Sequence, residues 1–448
     1  MDPHPRGRTL PHPRDHSLLG SVPAFARDTL QAFLSGWHEC GDIVRFRGLR
    51  TMCLLAHPDH VRYVLEENLP NYPRSPSVIK KLSLLGGGLL NSDGNLWRRQ
   101  HRLVSPALHG PYLAAFGRVI AESTAEMLDR WQVTAGRGQA LDIASAMSRL
   151  NLDIQARLLF GLPNGDALAA DATVACEYAI AGVMEIAGPP QRLRPAFWRY
   201  RRAVRALDAF IYATIAARRR QPIPDLASLL LQSSDAETGQ AMSDGQARDE
   251  LVTLLHGSYK AVANALTWAC YLLSKHPDCG RRLRTELAEV LGGRVPTWED
   301  LPRLTYTTMV LQEAMRLYPP VWVFARFTLK DDRIGGYHIP AGMSVILSPY
   351  VTHRHPGFWP DAEGFDPERF TAVAAAGRHP YAYFPFSAGP RRCTGDAFAM
   401  MEMQLVLAML CQRYRLDLVP GRPIAYRREF VLRPVQGLPM TVSVAAST

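Results

Sequence analysis

Cys393 has the neighbours of a residue that does chemistry. It lies in Phe386-Ser387-Ala388-Gly389-Pro390-Arg391-Arg392-Cys393-Thr394-Gly395, between a loop broken by proline and glycine and an apolar run of helical period. A thiolate presented there can hold an iron from one side and push electron density onto it. Gly389 and Gly395 permit close backbone approach and unusual dihedrals. The helix that follows points amide N–H groups back at the sulfur, which stabilises negative charge. The bland alternative is a buried structural cysteine at a helix start. Glu313 and Arg316 lie three apart, on one helix face, where a surface pair contributes only about 0.2–0.5 kcal/mol. Trp97 and His101 lie four apart, and His353 and His355 flank Arg354 in a loop ending at Pro356.

Together these motifs resemble the cytochrome P450 family of haem-thiolate proteins, from about Val44 to Val442. The pattern Phe-x-x-Gly-x-Arg-x-Cys-x-Gly is matched at every fixed position. The resemblance implies a haem b whose iron is ligated by Cys393, with Arg391 on a haem propionate and Phe386 shielding the sulfur. It places Trp97, His101 and Arg326 against the propionates as well, although the family more often has Arg where His101 stands. Pro367-Glu368-Arg369-Phe370 follows the Glu313 helix, and in the family such an Arg completes a buried Glu-Arg-Arg cluster. Glu313, Arg316 and Arg369 are therefore expected to lock the cysteine loop. The His353 segment is expected to be structural.

One segment departs from the family. Its Ala/Gly-Gly-x-Asp/Glu-Thr pattern falls on Gly257-Ser258-Tyr259-Lys260-Ala261, so the acid is replaced by Lys260 and the alcohol by Ala261. In the family that pair delivers protons to iron-bound dioxygen. Three explanations stay open. The substrate or a water supplies the hydroxyl; Ser258 substitutes; or the enzyme does not activate dioxygen, and carries out isomerisation, dehydration or group transfer. A non-catalytic haem-binding or ligand-binding protein is the alternative from another class.

The elements that must position these residues read mostly as helices. Patterns of period 3.6 cover Trp97–Ala107, Leu113–Gln132, Asp142–Phe160, Ala167–Ile186, Pro195–Arg220, Asp225–Leu231, Asp244–Lys275, Tyr306–Leu317 and Asp396–Tyr414. Asp142 is a plausible cap, and Thr297-Trp298-Glu299-Asp300 a capping-box start. Gly188-Pro189-Pro190 separates two of the helices. Hairpins are expected over Asp42–Ala56 and Leu416–Val442, with short strands at Val321–Thr328, Tyr337–Ile339 and Ser344–Leu347. A short helix starts at His57-Pro58-Asp59. Pro70–Asn91 is a long loop of the kind that carries function.

The 448 residues are 47% hydrophobic and 21% charged, which suits a globular core. Seven scattered cysteines form no C-x-x-C pair, so no zinc or disulfide framework is suggested. No stretch reaches the ~20 apolar residues that span a bilayer, and a cytoplasmic, unanchored monomer is expected. The net charge of +10 concentrates in arginines at 192–205 and 218–220. They read as a solvated helix face rather than a nucleic-acid site, because no aromatic stacking pattern accompanies them. Arg98, Arg102 and Arg392 are candidates for docking an acidic electron carrier.

The expected fold is mainly α with a small β region, residues 1–20 being a disordered lead-in to one haem domain. The resemblance implies monooxygenation of a small apolar, secondary-metabolite-like substrate, fed by a ferredoxin-type partner. The substrate should meet Val321, Trp322, Val323, Phe324, Val431, the Tyr72–Leu90 loop and the Gly257–Trp268 helix.

Overall fold

The computed structural model describes residues 8–14, 19–48, 51–75, 79, 82–110, 112–184, 195–258, 260–422, 424–428 and 431–445. The expected break at Gly188–Pro190 lies outside them, as does Tyr259. The longer helices are α1 (Val22–Cys40), α2 (Gly94–Val104), α3 (Tyr112–Gly136), α4 (Ile143–Phe160), α5 (Asp166–Met184), α6 (Pro195–Arg220), α7 (Leu226–Gln232), α8 (Asp244–Ser258), α9 (Ala261–Lys275), α10 (Pro277–Leu291), α11 (Thr305–Leu317) and α12 (Asp396–Arg413). Among the described residues no helix is long and apolar enough to cross a membrane.

Local chemistry explains several ends. The Asp142 carboxylate accepts from Ala144 N at 3.1 Å and starts α4, which stops at left-handed Gly161. Thr297 and Asp300 form the capping box, but over a short 3₁₀ turn, Trp298–Arg303. Helix α12 is buried all round: Met401, Leu405, Val406, Leu407, Ala408 and Leu410 join one core with α3, α4, α9 and α11. Such a helix holds its N-terminal loop firmly.

The principal sheet runs β1 (Ile43–Phe46), β2 (Met52–Leu55), β4 (Ser344–Leu347), β3 (Phe324–Phe327). Strands β1 and β2 form the expected hairpin, β2 pairs parallel to β4, and β3 pairs antiparallel to β4. A second sheet joins Tyr414–Leu418 to Pro439–Val444, with Ala140–Asp142 at its edge.

Four expectations change. Helix α1 lies in a stretch the sequence left unassigned; its Phe25, Leu30, Phe33 and Trp37 pack with Val44, Phe46 and Trp322. Residues 8–14 are placed: Leu10 is buried, and Pro11 O accepts from Arg45 N at 2.8 Å. Aromatics do accompany the arginine run, since the Arg201 guanidinium lies 6.0 Å from both the Phe197 and Trp198 rings. Tyr178 of α5 also stacks on Tyr200 of α6. The long helix expected over Asp244–Lys275 is interrupted, for α8 ends at Ser258 and α9 begins at Ala261.

Candidate active site

Helix α12 starts at Asp396, three residues after Cys393, with Gly395 as its N-cap residue. The loop before it is a tight hairpin of backbone bonds: Ser387 N to Phe384 O, 3.0 Å, and Cys393 N to Phe386 O, 2.9 Å. Gly389 has φ +66°, and a Cβ there would stand 2.4 Å from Leu65 O, so glycine is required. Gly395 is different. Its φ of −98° suits any residue, and a Cβ would meet only Leu108, at 4.0 Å. The protein itself leaves room above Gly395. Cys393 is solvent-exposed there although protein surrounds it closely. That depth raises the thiol pKa, the Gly395 N–H pulls it back, and Asp396 pushes it up again. Phe386 is half-buried.

The loop is locked from beneath. Arg316 is fully buried and grips Glu313 through two bonds, 2.6 and 2.8 Å. Its remaining N–H groups go to the carbonyls of His353, Ala362 and Gly364. Arg369 approaches Glu313 at 3.4 Å and bonds Asp361 O at 2.9 Å. His353 continues the network, because its Nε2 accepts from Phe384 N at 3.0 Å. Burial holds His353 far below the usual imidazole pKa, so it is neutral and free to accept. His355 turns elsewhere, to Asp42. The geometry thus joins Glu313, Arg316 and Arg369 to the cysteine loop through His353.

On the open side lie three guanidiniums, Arg326 buried and Arg74 and Arg391 half-buried. Arg391 pairs with Asp93, bonds Ser92 O at 3.2 Å and sits 4.0 Å from the Trp97 ring centroid. Arg326 is buried in β3, bridged to Arg74. Burial and the Arg74 charge lower the pKa values of Arg326 and Arg391 to about 9; burial lowers Arg74 to about 10. Among the described residues Asp93 is the only carboxylate that pairs with any of the three. Buried cations are normally paired, and Arg326 has no carboxylate beside it, while Arg74 donates to Leu89 O at 3.3 Å. Arg74 was missed in the sequence, though Tyr72-Pro73-Arg74-Ser75-Pro76 sits in the loop expected to be functional. His101 packs 5.1 Å from Trp97, and burial and His109 lower its pKa. It is therefore a poorer cation than the arginine it replaces.

The helix break forms the opposite wall. Ser258 O is captured by Asn151 Nδ2 of α4 at 2.9 Å, and Lys260 leaves helical geometry with φ −126°, ψ −14°. Lys260 turns to α5 and pairs with Glu177. Gly257 is exposed, with no atom within 4 Å of where its Cβ would be, and Ala261 is half-buried. The Ser258 hydroxyl donates to Leu254 O of its own helix at 2.8 Å. The Pro70–Asn91 loop lies against α8: Gly87 N reaches Asp249 at 2.8 Å and Leu89 N reaches Glu250 at 3.0 Å.

An exposed thiol above a locked loop, beside unneutralised guanidiniums, fits a flat dianionic group that carries a metal. The comparisons agree. The family profile described as Cytochrome P450 matches residues 10–439. The chain belongs to the cytochrome P450 family. Members hold a haem iron through a cysteine and act as oxidoreductases, and this P450 takes that cofactor and a redox partner. It is 35% identical to cyclooctat-9-en-7-ol 5-monooxygenase of Streptomyces melanosporofaciens, over 90% of this chain and 88% of the relative. It is 36% identical to cyclooctatin synthase of the same organism, over 93% and 91%. Human cytochrome P450 4F2 is 34% identical over 86% and 79%. The crystal structure of the cytochrome P450DA heme domain superposes with a TM-score of 0.91, at 24% identity over 98% of both chains.

Two further assignments are corrected by this P450's own packing. Trp322, expected to touch substrate, is fully buried in the core with Phe33 and Leu432. Arg102, expected on a docking face, is bound to Asp235 at 2.7 Å and Glu237 at 3.0 Å. Arg98 meets Asn95, and Arg392, in the loop, meets Asp396 at the start of α12. Val321 bridges Val431, which brings the segment after α11 to the last hairpin; Val323 and Phe324 are half-buried beside it.

Proposed function

We propose that this P450 is a monooxygenase of a small, apolar, terpenoid-like substrate, with Cys393 as thiolate ligand of a haem b and a ferredoxin-type protein as electron source. The observation that carries the reading is the Cys393 thiol, open on one side and braced on the other by Glu313, Arg316 and His353. Arg74, Arg326 and Arg391 would hold the propionates, with Trp97 backing Arg391. The bound haem supplies the centre at which dioxygen, two electrons and two protons become one inserted oxygen and one water. The chain's own part is to fix the thiolate, neutralise the propionates and shape the guest space. Val321, Val323, Phe324, Val431, Gly257 and Ala261 would line that space. The two Streptomyces relatives, named for cyclooctatin chemistry, support a terpenoid guest.

A second reading, a reaction without dioxygen, is favoured by one observation: among the described residues of the helix break, Ala261 has no hydroxyl and that of Ser258 donates to its own helix. In the monooxygenase reading, the substrate or a water then supplies the protons that these residues do not. Labelled dioxygen separates the readings, since label in the product establishes monooxygenation. Cys393→Ser tests the ligand. The reduced, carbon monoxide-bound protein should show the red-shifted Soret band of thiolate ligation, and the serine variant should lose it. A serine variant that kept the band would refute the assignment.

A further inference from the structure

We infer that Glu250 and Thr253 form a subsite at the far end of the guest space, which takes a hydroxyl group of the guest and so fixes which end of the molecule meets the haem. The inference rests on the proposed placing of the guest against Gly257. Seven residues make almost two turns of α8, so Glu250 lies on the same helix face as Gly257, about 10 Å further along. Below, that face is open, for Leu254 is half-buried and Gly257 exposed. Above, the Pro70–Asn91 loop closes on it. Leu89 N donates to one Glu250 oxygen at 3.0 Å. A Cβ on Gly88 would stand 2.1 Å from Thr253 Oγ1, so the loop comes down on the threonine only because residue 88 has no side chain. Both side chains keep an unused polar atom. Glu250 is fully buried with its other oxygen unpartnered, and Thr253 is buried with its hydroxyl unpartnered. Other buried helical threonines behave differently: Thr124 and Thr267 each donate to the carbonyl four residues back, at 2.7 Å. Arg248, two residues before Glu250, is spent on Asp208, Asp249 and Leu84 O. A buried polar atom left without a partner costs stability, and these two atoms do nothing to hold the loop. Side chains three apart on a helix are neighbours, with about 5–6 Å between Cβ atoms, so one guest oxygen fits between them. A guest hydroxyl donates to Glu250 and accepts from Thr253, which satisfies both; a hydrocarbon satisfies neither.

The test uses an iron ligand that carries the hydroxyl on a chain. N-(ω-hydroxyalkyl)imidazoles and the matching N-alkylimidazoles, from ethyl to dodecyl, are titrated into the haem-loaded enzyme, and their dissociation constants are read from the Soret shift. The preference for the hydroxyl-ended over the methyl-ended probe should rise about three- to tenfold from the short chains to those that span from Gly257 to Glu250, the size of a hydrogen bond made to a buried group without a partner. A plain apolar pocket gives the opposite sign, since burying an unpaired hydroxyl is unfavourable. Thr253→Val and Glu250→Leu should each abolish the rise, and Glu250→Gln, whose amide oxygen still accepts, should keep part of it. Thr253→Val keeps the side-chain shape, so it carries the test even where Glu250→Leu fails to fold. A Glu250 that merely holds the Leu89 loop would move both probes alike. A preference that falls with chain length in the wild type, or a rise that survives in Thr253→Val, overturns the inference. Product without label from dioxygen would sink the monooxygenase reading and leave this preference unchanged.

Discussion

Glu313 and Glu250 are both fully buried glutamates, on opposite sides of the site, and they are treated in opposite ways. Glu313, beneath the Cys393 loop, has Arg316 in a two-point grip, Arg369 at 3.4 Å and Asp366 N at 3.0 Å. Glu250, on α8 above it, has one backbone donor, Leu89 N, and an oxygen without a partner. The Cys393 side is built to hold still, because the Glu313 and Arg316 charges are spent on each other and on the loop carbonyls, although Ser387 Oγ and Arg369 Nε are buried without partners. The α8 side keeps unspent groups: the second Glu250 oxygen, the Thr253 hydroxyl and His256 Nδ1 are all buried without partners. That asymmetry matches the division of labour. A metal ligand must stay put, whereas the wall facing a guest adapts to what it meets.

The largest test of the contrast is Arg316→Ala. It strands the Glu313 carboxylate and frees three carbonyls, a loss of about 3–5 kcal/mol. The variant should be purified without haem or not at all. Soluble, haem-replete protein with an unaltered carbon monoxide spectrum would break the comparison, since Glu313 would then need its partner no more than Glu250 does. Gly389→Ala comes next. It puts a side chain at φ +66° and 2.4 Å from Leu65 O, and should cost about 1–3 kcal/mol. Melting temperature and haem content should fall together, because the strain sits inside the ligand loop.

Glu250→Gln probes the other side through pH. Burial raises the Glu250 pKa to about 7, against the opposing pull of Leu89 N–H. The folded chain thus binds this proton more tightly than the unfolded chain, where a glutamate titrates near its ordinary 4.5. Stability from this group is complete below about 4.5 and is lost as pH rises to about 7. The amide variant pays no such penalty, so it should melt higher than wild type at pH 8, by a few degrees for the ~1–3 kcal/mol involved. At pH 4.5 the two should melt together. Equal melting at both pH values would mean that Glu250 has a counter-charge after all, and the contrast with Glu313 would disappear.

The two sides were also unequally legible in the sequence. Cys393, Arg391, Glu313, Arg316 and Arg369 lie in short motifs that carry the family resemblance, which implied their places, and the helices around them have strong period. Trp322 was misread because a segment lining a pocket and a segment crossing a core look alike over four residues. Helix α1 was missed because its identity depends on the sheet it covers. Glu177 and Arg74 could not be found from spacing: Lys260 meets Glu177, and Arg74 meets Arg326, only after distant elements pack. The departure at Lys260 and Ala261 was legible, but not its consequence, the break between α8 and α9.

Asn151→Ala addresses that break and should have the smallest effect. Asn151 is buried and its Nδ2 gives Ser258 O, at the end of α8, a partner at 2.9 Å. Its own Oδ1 has none. Alanine therefore removes one hydrogen bond and one orphaned acceptor together, so the losses partly cancel and the net cost should be about 1 kcal/mol. The effect should also be local. Ser258 O would need a new donor, and the turn holding Lys260 would loosen, so amide hydrogen exchange should speed up across 258–264. The amides of α12 and the Cys393 loop belong to the locked side and should keep their protection, and the carbon monoxide spectrum should be unchanged. Faster exchange in both regions would show that the break and the ligand loop open as one unit, and the division between a fixed and an adaptable wall would fail.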